Sequence, residues 1–108
     1  MYSYSDFKAR ISIIDVALAL GYRFDKTKGH SRPNFVLRGT NGDEIDRIII
    51  TNPHDSSQQG YWRRNTNVGR SSGDLISFVA ENINKFAQAS GRNSTDAINK
   101  VLSSFCGE

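Results

Sequence analysis

The chain has 108 residues, a net charge of +3 with its histidines neutral, and one cysteine. That length suits a single domain with one core and is too short for two. Cys106 alone cannot form an internal disulfide, and no apolar run approaches the ~20 residues that span a bilayer, so a cytoplasmic domain without membrane integration is expected.

From Phe7 to Leu20, apolar residues recur at helical spacing and Gly21 supplies a stop. Ser12 with Asp15 three residues on resembles a capping box, which allows two short helices meeting near Ser12. Tyr22-Arg23-Phe24 is short and alternating, and Lys26 to Arg32 is a polar loop. Phe35 to Arg38 and Ile45 to Ile50 flank Gly39-Thr40-Asn41-Gly42-Asp43, whose Asn-Gly dipeptide predicts an antiparallel hairpin. A third strand is expected over Gly60 to Arg64, followed by a loop from Asn65 to Ser72. Leu75, Ile76, Val79, Ile83 and Phe86 predict a second helix, opened by Ser71, Ser72 or Asp74 and closed by Gly91. Ala97, Ile98, Val101, Leu102 and Phe105 predict a third, capped by Asn93 or Ser94. The class is α+β, a small antiparallel sheet flanked by about three helices.

The order of several short motifs resembles the zinc-ribbon domain at the N-terminus of bacterial DnaG-type primases. These are the helix end Asp15-Val16-Ala17 with Leu20-Gly21-Tyr22, the Pro33-Asn34-Phe35 strand, Tyr61-Trp62, and Gly73-Asp74-Leu75-Ile76-Ser77-Phe78-Val79. The family pattern closes with Tyr-x-Cys-x-x-Cys-Gly-x-Gly-Gly-Asp-x-Ile-x-Phe, and here the cysteines are missing. Structural zinc needs four Cys or His ligands, commonly in pairs. This chain offers only Cys106, His30 and His54, with no such pairing, so no zinc and no other cofactor is expected. The resemblance is then to ligand-free relatives found ahead of Toprim-type primase modules in mobile-element and mobilisation proteins. It implies the N-terminal part of a longer DNA-replication protein, with a downstream primase-like domain as partner. Folding free energy lost with the metal is expected from a larger apolar core, with Phe35, Ile48, Ile50, Phe78 and Val79 as candidates.

Single strands are held by aromatic planes on which bases stack and by cations that neutralise phosphates. Tyr61, Trp62, Arg63 and Arg64 supply both, and strand alternation puts Tyr61 with Arg63 on one face and Trp62 with Arg64 on the other. The matched family position of the tyrosine implies core packing, leaving Trp62 and Arg64 exposed. Arg38 and Arg47 on neighbouring strands, with Lys28, Arg32 and Arg70 in loops, extend the expected path for single-stranded DNA. Asp74 reads as a helix cap that would repel phosphate. Asp43, Glu44 and Asp46 read as turn and solubility residues, and Cys106 as a small core residue. No catalytic constellation or nucleotide-binding turn is present, so the expected role is non-catalytic. The rival reading is a docking module, which an exposed apolar stripe on Ala97 to Phe105 would favour.

Overall fold

The computed structural model describes residues 3–27, 32–86 and 93–106. Its first helical stretch divides at Ser12: α1 spans Tyr4–Arg10 and α2 spans Ile13–Ala19. Ile11 and Ser12 between them take extended backbone angles, and each helix carries its own cap. Ser3 and Asp6 form a capping box at α1, while the Ser12 hydroxyl accepts from the Ile14 amide at 3.1 Å. The capping box therefore sits one helix earlier than Ser12 and Asp15 suggest. A buried side chain from far along the chain completes the second cap. Gln59, 3% exposed, accepts from the Ile13 amide through Oε1 and donates from Nε2 to the Ser12 hydroxyl at 3.1 Å. Without it, an amide at a helix start would be buried unpaired. Gly21, at φ +98, closes α2: its amide donates to the Leu18 carbonyl and the Tyr22 amide to that of Ala17, the bond pair of a Schellman stop.

Among the described residues, five antiparallel strands then form a meander, ordered in the sheet as in the chain. They are β1 (Arg23–Phe24), β2 (Asn34–Arg38), β3 (Glu44–Thr51), β4 (Gly60–Trp62) and β5 (Ser72–Gly73). The β2–β3 pair is the expected hairpin, with a register shift between Leu37 and Arg38. β4 stops at Trp62, although the Arg63 amide still donates to the Ser71 carbonyl at 2.8 Å. Ser72–Gly73, expected as loop and helix entry, instead pairs with Tyr61–Trp62 as β5. Two small residues on an edge carry no hydrophobic alternation that would reveal a strand.

Asp74 caps α3 (Leu75–Glu81), its carboxylate accepting from the Ser77 amide at 3.0 Å and pairing with Lys8 at 3.3 Å. The helix is shorter than its apolar stripe suggests, because Asn82 closes it and Ile83–Lys85 form a 3-10 turn. Asn93 caps α4 (Ser94–Phe105), whereas the expected stop at Gly91 lies outside the described residues. Among the described residues four helices thus accompany the sheet where about three were expected, and the class is α+β.

Alternation sorts the strands into two faces. Phe35, Ile48, Ile50 and Tyr61 join the buried residues of α1 to α4 in one apolar core. Phe35 is 4% exposed and Ile48, Ile50, Phe78 and Val79 are fully buried, so all five core candidates lie inside. Each large side chain buried in this way contributes roughly 1.5–3 kcal/mol. Asn34, Val36, Arg47, Ile49 and Trp62 occupy the other face and lie outside that cluster. Strand pairing arranges this face in two rows, Asn34–Ile49–Trp62–Ser72 and Arg23–Val36–Arg47. Among the described residues, no group of three or more His, Cys, Asp or Glu is placed to hold a metal ion. None of their helices is long and apolar enough to cross a membrane.

Candidate nucleic-acid interface

The strand Tyr61 to Arg64 divides by face. Tyr61 is 2% and Arg63 3% exposed, whereas Trp62 is partly exposed and Arg64 lies in solvent. The Arg64 guanidinium sits 5.8 Å from the centre of the Trp62 ring, a cation–π contact that orders both side chains. Arg70 is exposed, and its Nε donates to the Ser72 carbonyl at 3.1 Å. Since Ser72 pairs with Trp62, the register brings Trp62, Arg64 and Arg70 to one edge of the open face. Arg32, also exposed, precedes Asn34 at the β2 end of the same row.

The other expected contacts do not join them. Arg38 pairs in register with Glu44, five residues along β3 from Ile49, which is about 17 Å at the rise of a strand. It is exposed there and donates to the Gly42 carbonyl at 3.1 Å. Lys28 lies outside the described residues. Arg47 is on the open face but already neutralised: Nη1 meets Asp25 at 2.8 Å, and Nη2 meets Glu44 at 2.8 Å. Its Nη1 also donates to Asn34 Oδ1 at 3.2 Å. The Asp25 carboxyl is held well below the usual carboxylate range by bonds from the Thr27 hydroxyl and amide, and then by Arg47.

Arg63 requires the larger correction, because it is a buried structural ion and not a surface contact. Its Nε and Nη2 form a fork on the Asp46 carboxylate at 3.1 and 3.0 Å. Nη2 also meets Glu81 at 2.6 Å, and Nη1 donates to the Arg70 carbonyl at 2.9 Å. Tyr22 donates its hydroxyl to Asp46, Tyr61 donates to Glu81 at 3.0 Å, and the Arg47 and Arg70 amides donate to Asp46 and Glu81. Two carboxylates thus face one cation, and four neutral donors satisfy the remaining lone pairs. Burial first, then the adjacent carboxylates, push both phenols above their ordinary ionisation range.

This network ties β3, β4, α3 and the loop after β4 together, and it grips Arg70 by both its amide and its carbonyl. Gly69 crosses directly over the guanidinium, where an added Cβ would lie 2.1 Å from Arg63 Nη1 and 3.0 Å from Glu81 Oε1. Asp46 is therefore no solubility residue. Its parity with Ile48 and Ile50 already placed it on the core face, and that alternation was the signal available in the sequence. Glu81 and Gln59 carried no comparable signal. Arg23, missed as a candidate, shares the open-face row of Val36 and Arg47.

Beside the Trp62 edge lies a hollow of about 390 Å³ whose lining includes Asn34, Ile49, Arg64 and Asn65 together with Arg47 and the acids Glu44 and Asp46. The apolar stripe of α4 is covered in its middle and partly exposed at its ends: Val101 and Leu102 are fully buried, whereas Ala97 and Phe105 are partly buried, Phe105 meeting Phe86 at 6.2 Å between ring centres. Cys106 is partly buried against the same core, and His54 is exposed. No protein-family model, curated protein or solved structure matches the chain.

Proposed function

We propose that this chain is a non-catalytic module that holds single-stranded DNA on the open face of its sheet and presents it to a downstream primase-like domain. The observation that carries the reading is the Trp62–Arg64 pair, an aromatic plane and a cation ordered against each other on a face outside the helical core. A base stacks on Trp62, Arg64 and Arg70 meet the flanking phosphates, and the hollow beside Ile49 leaves room for the next nucleotide. The burial of Ile98, Val101 and Leu102 on α4 supports this reading over a docking module. The resemblance to primase zinc ribbons supports the same reading. Arg63 stands two residues after Tyr61, where the ribbon pattern places a cysteine, and its ion pairs supply a cross-link from side chains alone.

The test is fluorescence anisotropy of labelled single-stranded and duplex DNA with the wild-type chain and with Trp62→Ala/Arg64→Ala. Stacking is worth about 1–3 kcal/mol per base, so loss of Trp62 alone weakens single-strand binding roughly 5- to 150-fold. Binding falls as salt rises, and removing Arg64 lowers the slope of log K against log salt by about 0.7. Equal affinity in wild type and double variant refutes the proposal.

A further inference from the structure

At the opposite edge of the sheet from Trp62, a second hollow of about 370 Å³ opens between β1 and β2. Arg23, Lys26 and Arg38 line it, together with Phe24 and Asp25 over a floor that includes Val36. The volume is within the range of small-molecule sites. Among the described residues, none of these three cations forms an ion pair. Arg23 and Arg38 are oriented by backbone carbonyls instead, Arg23 Nη1 donating to Tyr22 at 2.8 Å and Arg38 Nη1 to Gly42 at 3.1 Å.

The acid in this hollow is bonded to groups other than these three. Asp25 Oδ1 accepts from the Thr27 amide and hydroxyl at 2.9 and 2.6 Å, and Oδ2 accepts from Arg47 at 2.8 Å. Arg47, which lies outside the set of three, is shared between Asp25 and Glu44, so the hollow holds three cations against one partly compensated acid and its balance is positive. Three like charges lining one concavity repel each other, and an anion bound among them relieves that repulsion. Phe24 adds an aromatic plane: its ring is 5.7 Å from that of Phe35, which supports it, while the residue remains 51% exposed. Phe24, paired with Phe35, borders the hollow at the sheet edge from the face opposite Arg23 and Val36, and an exposed aromatic side chain with cations that form no ion pair among the described residues matches a ligand with a flat ring and a phosphate.

We infer that this hollow is a nucleotide-binding site, in which Arg23, Arg38 and Lys26 hold the phosphate and Phe24 stacks on the base. The site is distinct from the Trp62 edge and needs neither Trp62 nor Arg64. A free nucleotide and a nucleotide unit within a strand present the same chemistry, and the experiment separates them.

Deoxyadenosine 5′-monophosphate, deoxyadenosine and inorganic phosphate are titrated into the full chain and followed by NMR shifts of the backbone amides of residues 21–26 and 36–38. The monophosphate shifts these amides at lower concentration than either fragment. Arg23→Ala/Arg38→Ala weakens it at least tenfold, Phe24→Ala abolishes its advantage over inorganic phosphate, and Trp62→Ala/Arg64→Ala leaves it unchanged. All of these positions are exposed or partly exposed, and thermal unfolding of each variant verifies that it folds. If Arg23→Ala/Arg38→Ala also weakens a single-stranded oligonucleotide, the site takes a unit of the strand; if the oligonucleotide is unaffected, it takes a free nucleotide. Unchanged monophosphate binding in Arg23→Ala/Arg38→Ala, or equal response to the monophosphate and to phosphate in the wild type, overturns the inference. Because the readout is a mononucleotide, it stands or falls separately from strand binding at Trp62.

Discussion

Arg63 and Arg64 are adjacent and identical in type, yet their replacement by alanine has very unequal consequences. Arg64 is exposed and meets only the Trp62 ring among its described contacts, so Arg64→Ala changes stability by no more than about 0.5 kcal/mol. Arg63 is 3% exposed, and its removal leaves Asp46 and Glu81 buried without their cation while the Arg70 carbonyl loses its donor. Breaking a buried pair on one side costs about 3–5 kcal/mol, a large part of the roughly 5–15 kcal/mol that holds a small domain together. Urea unfolding, read by far-ultraviolet circular dichroism, measures both. The loss in Arg63→Ala persists at high salt, because a buried pair is poorly screened. The double variant Asp46→Asn/Arg63→Met loses less than the sum of its parts, with a coupling of about 1–3 kcal/mol. A loss below about 1 kcal/mol in Arg63→Ala, or strict additivity, would show that the network does not hold the fold and would refute the structural role given to Arg63.

Gly69→Ala costs about 1–3 kcal/mol by overpacking, since the added methyl meets a guanidinium that is locked on two carboxylates; unchanged urea unfolding would contradict this. Gln59→Ala leaves the Ile13 amide buried and unpaired and costs about 1–3 kcal/mol, measured in the same way. Tyr22 and Tyr61 ionise above the ordinary phenol range in the folded chain, so they contribute stability in full below about pH 10, and this is lost as the pH rises further. Their phenolate absorbance, assigned with Tyr22→Phe and Tyr61→Phe, is expected to appear together with unfolding; ionisation near pH 10 with the fold intact would count against the buried network. A chelator is expected to leave the thermal midpoint unchanged, and a fall would reveal a metal contribution to folding.

Periodicity made the frame legible. The stripes of α3 and α4 and the β2–β3 hairpin follow from side-chain spacing, and helix-end chemistry narrows the caps to Ser71, Ser72 or Asp74 and to Asn93 or Ser94, of which the fold uses Asp74 and Asn93. Alternation likewise separated Trp62 and Arg64 from Tyr61 and Arg63. What stayed hidden depends on contacts between distant segments. Gln59 reaches Ser12 across 47 positions, and Glu81 meets Tyr61 across 20, so no local window contains either pair. Arg47 looked like an available cation because its partner Asp25 lies on another strand's flank, 22 residues away. Basic residues could be counted in the sequence, whereas which of them remained uncompensated was decided by the fold.

The chain has a single tryptophan, so Trp62 reports directly on its own face. The most direct test of strand binding is its intrinsic fluorescence during titration with a single-stranded oligonucleotide and with the matching duplex at low salt. Base stacking on Trp62 predicts saturable quenching by the single strand, weaker quenching by the duplex, and recovery as salt is added. A tryptophan signal that no single strand perturbs at low salt would contradict strand binding at Trp62.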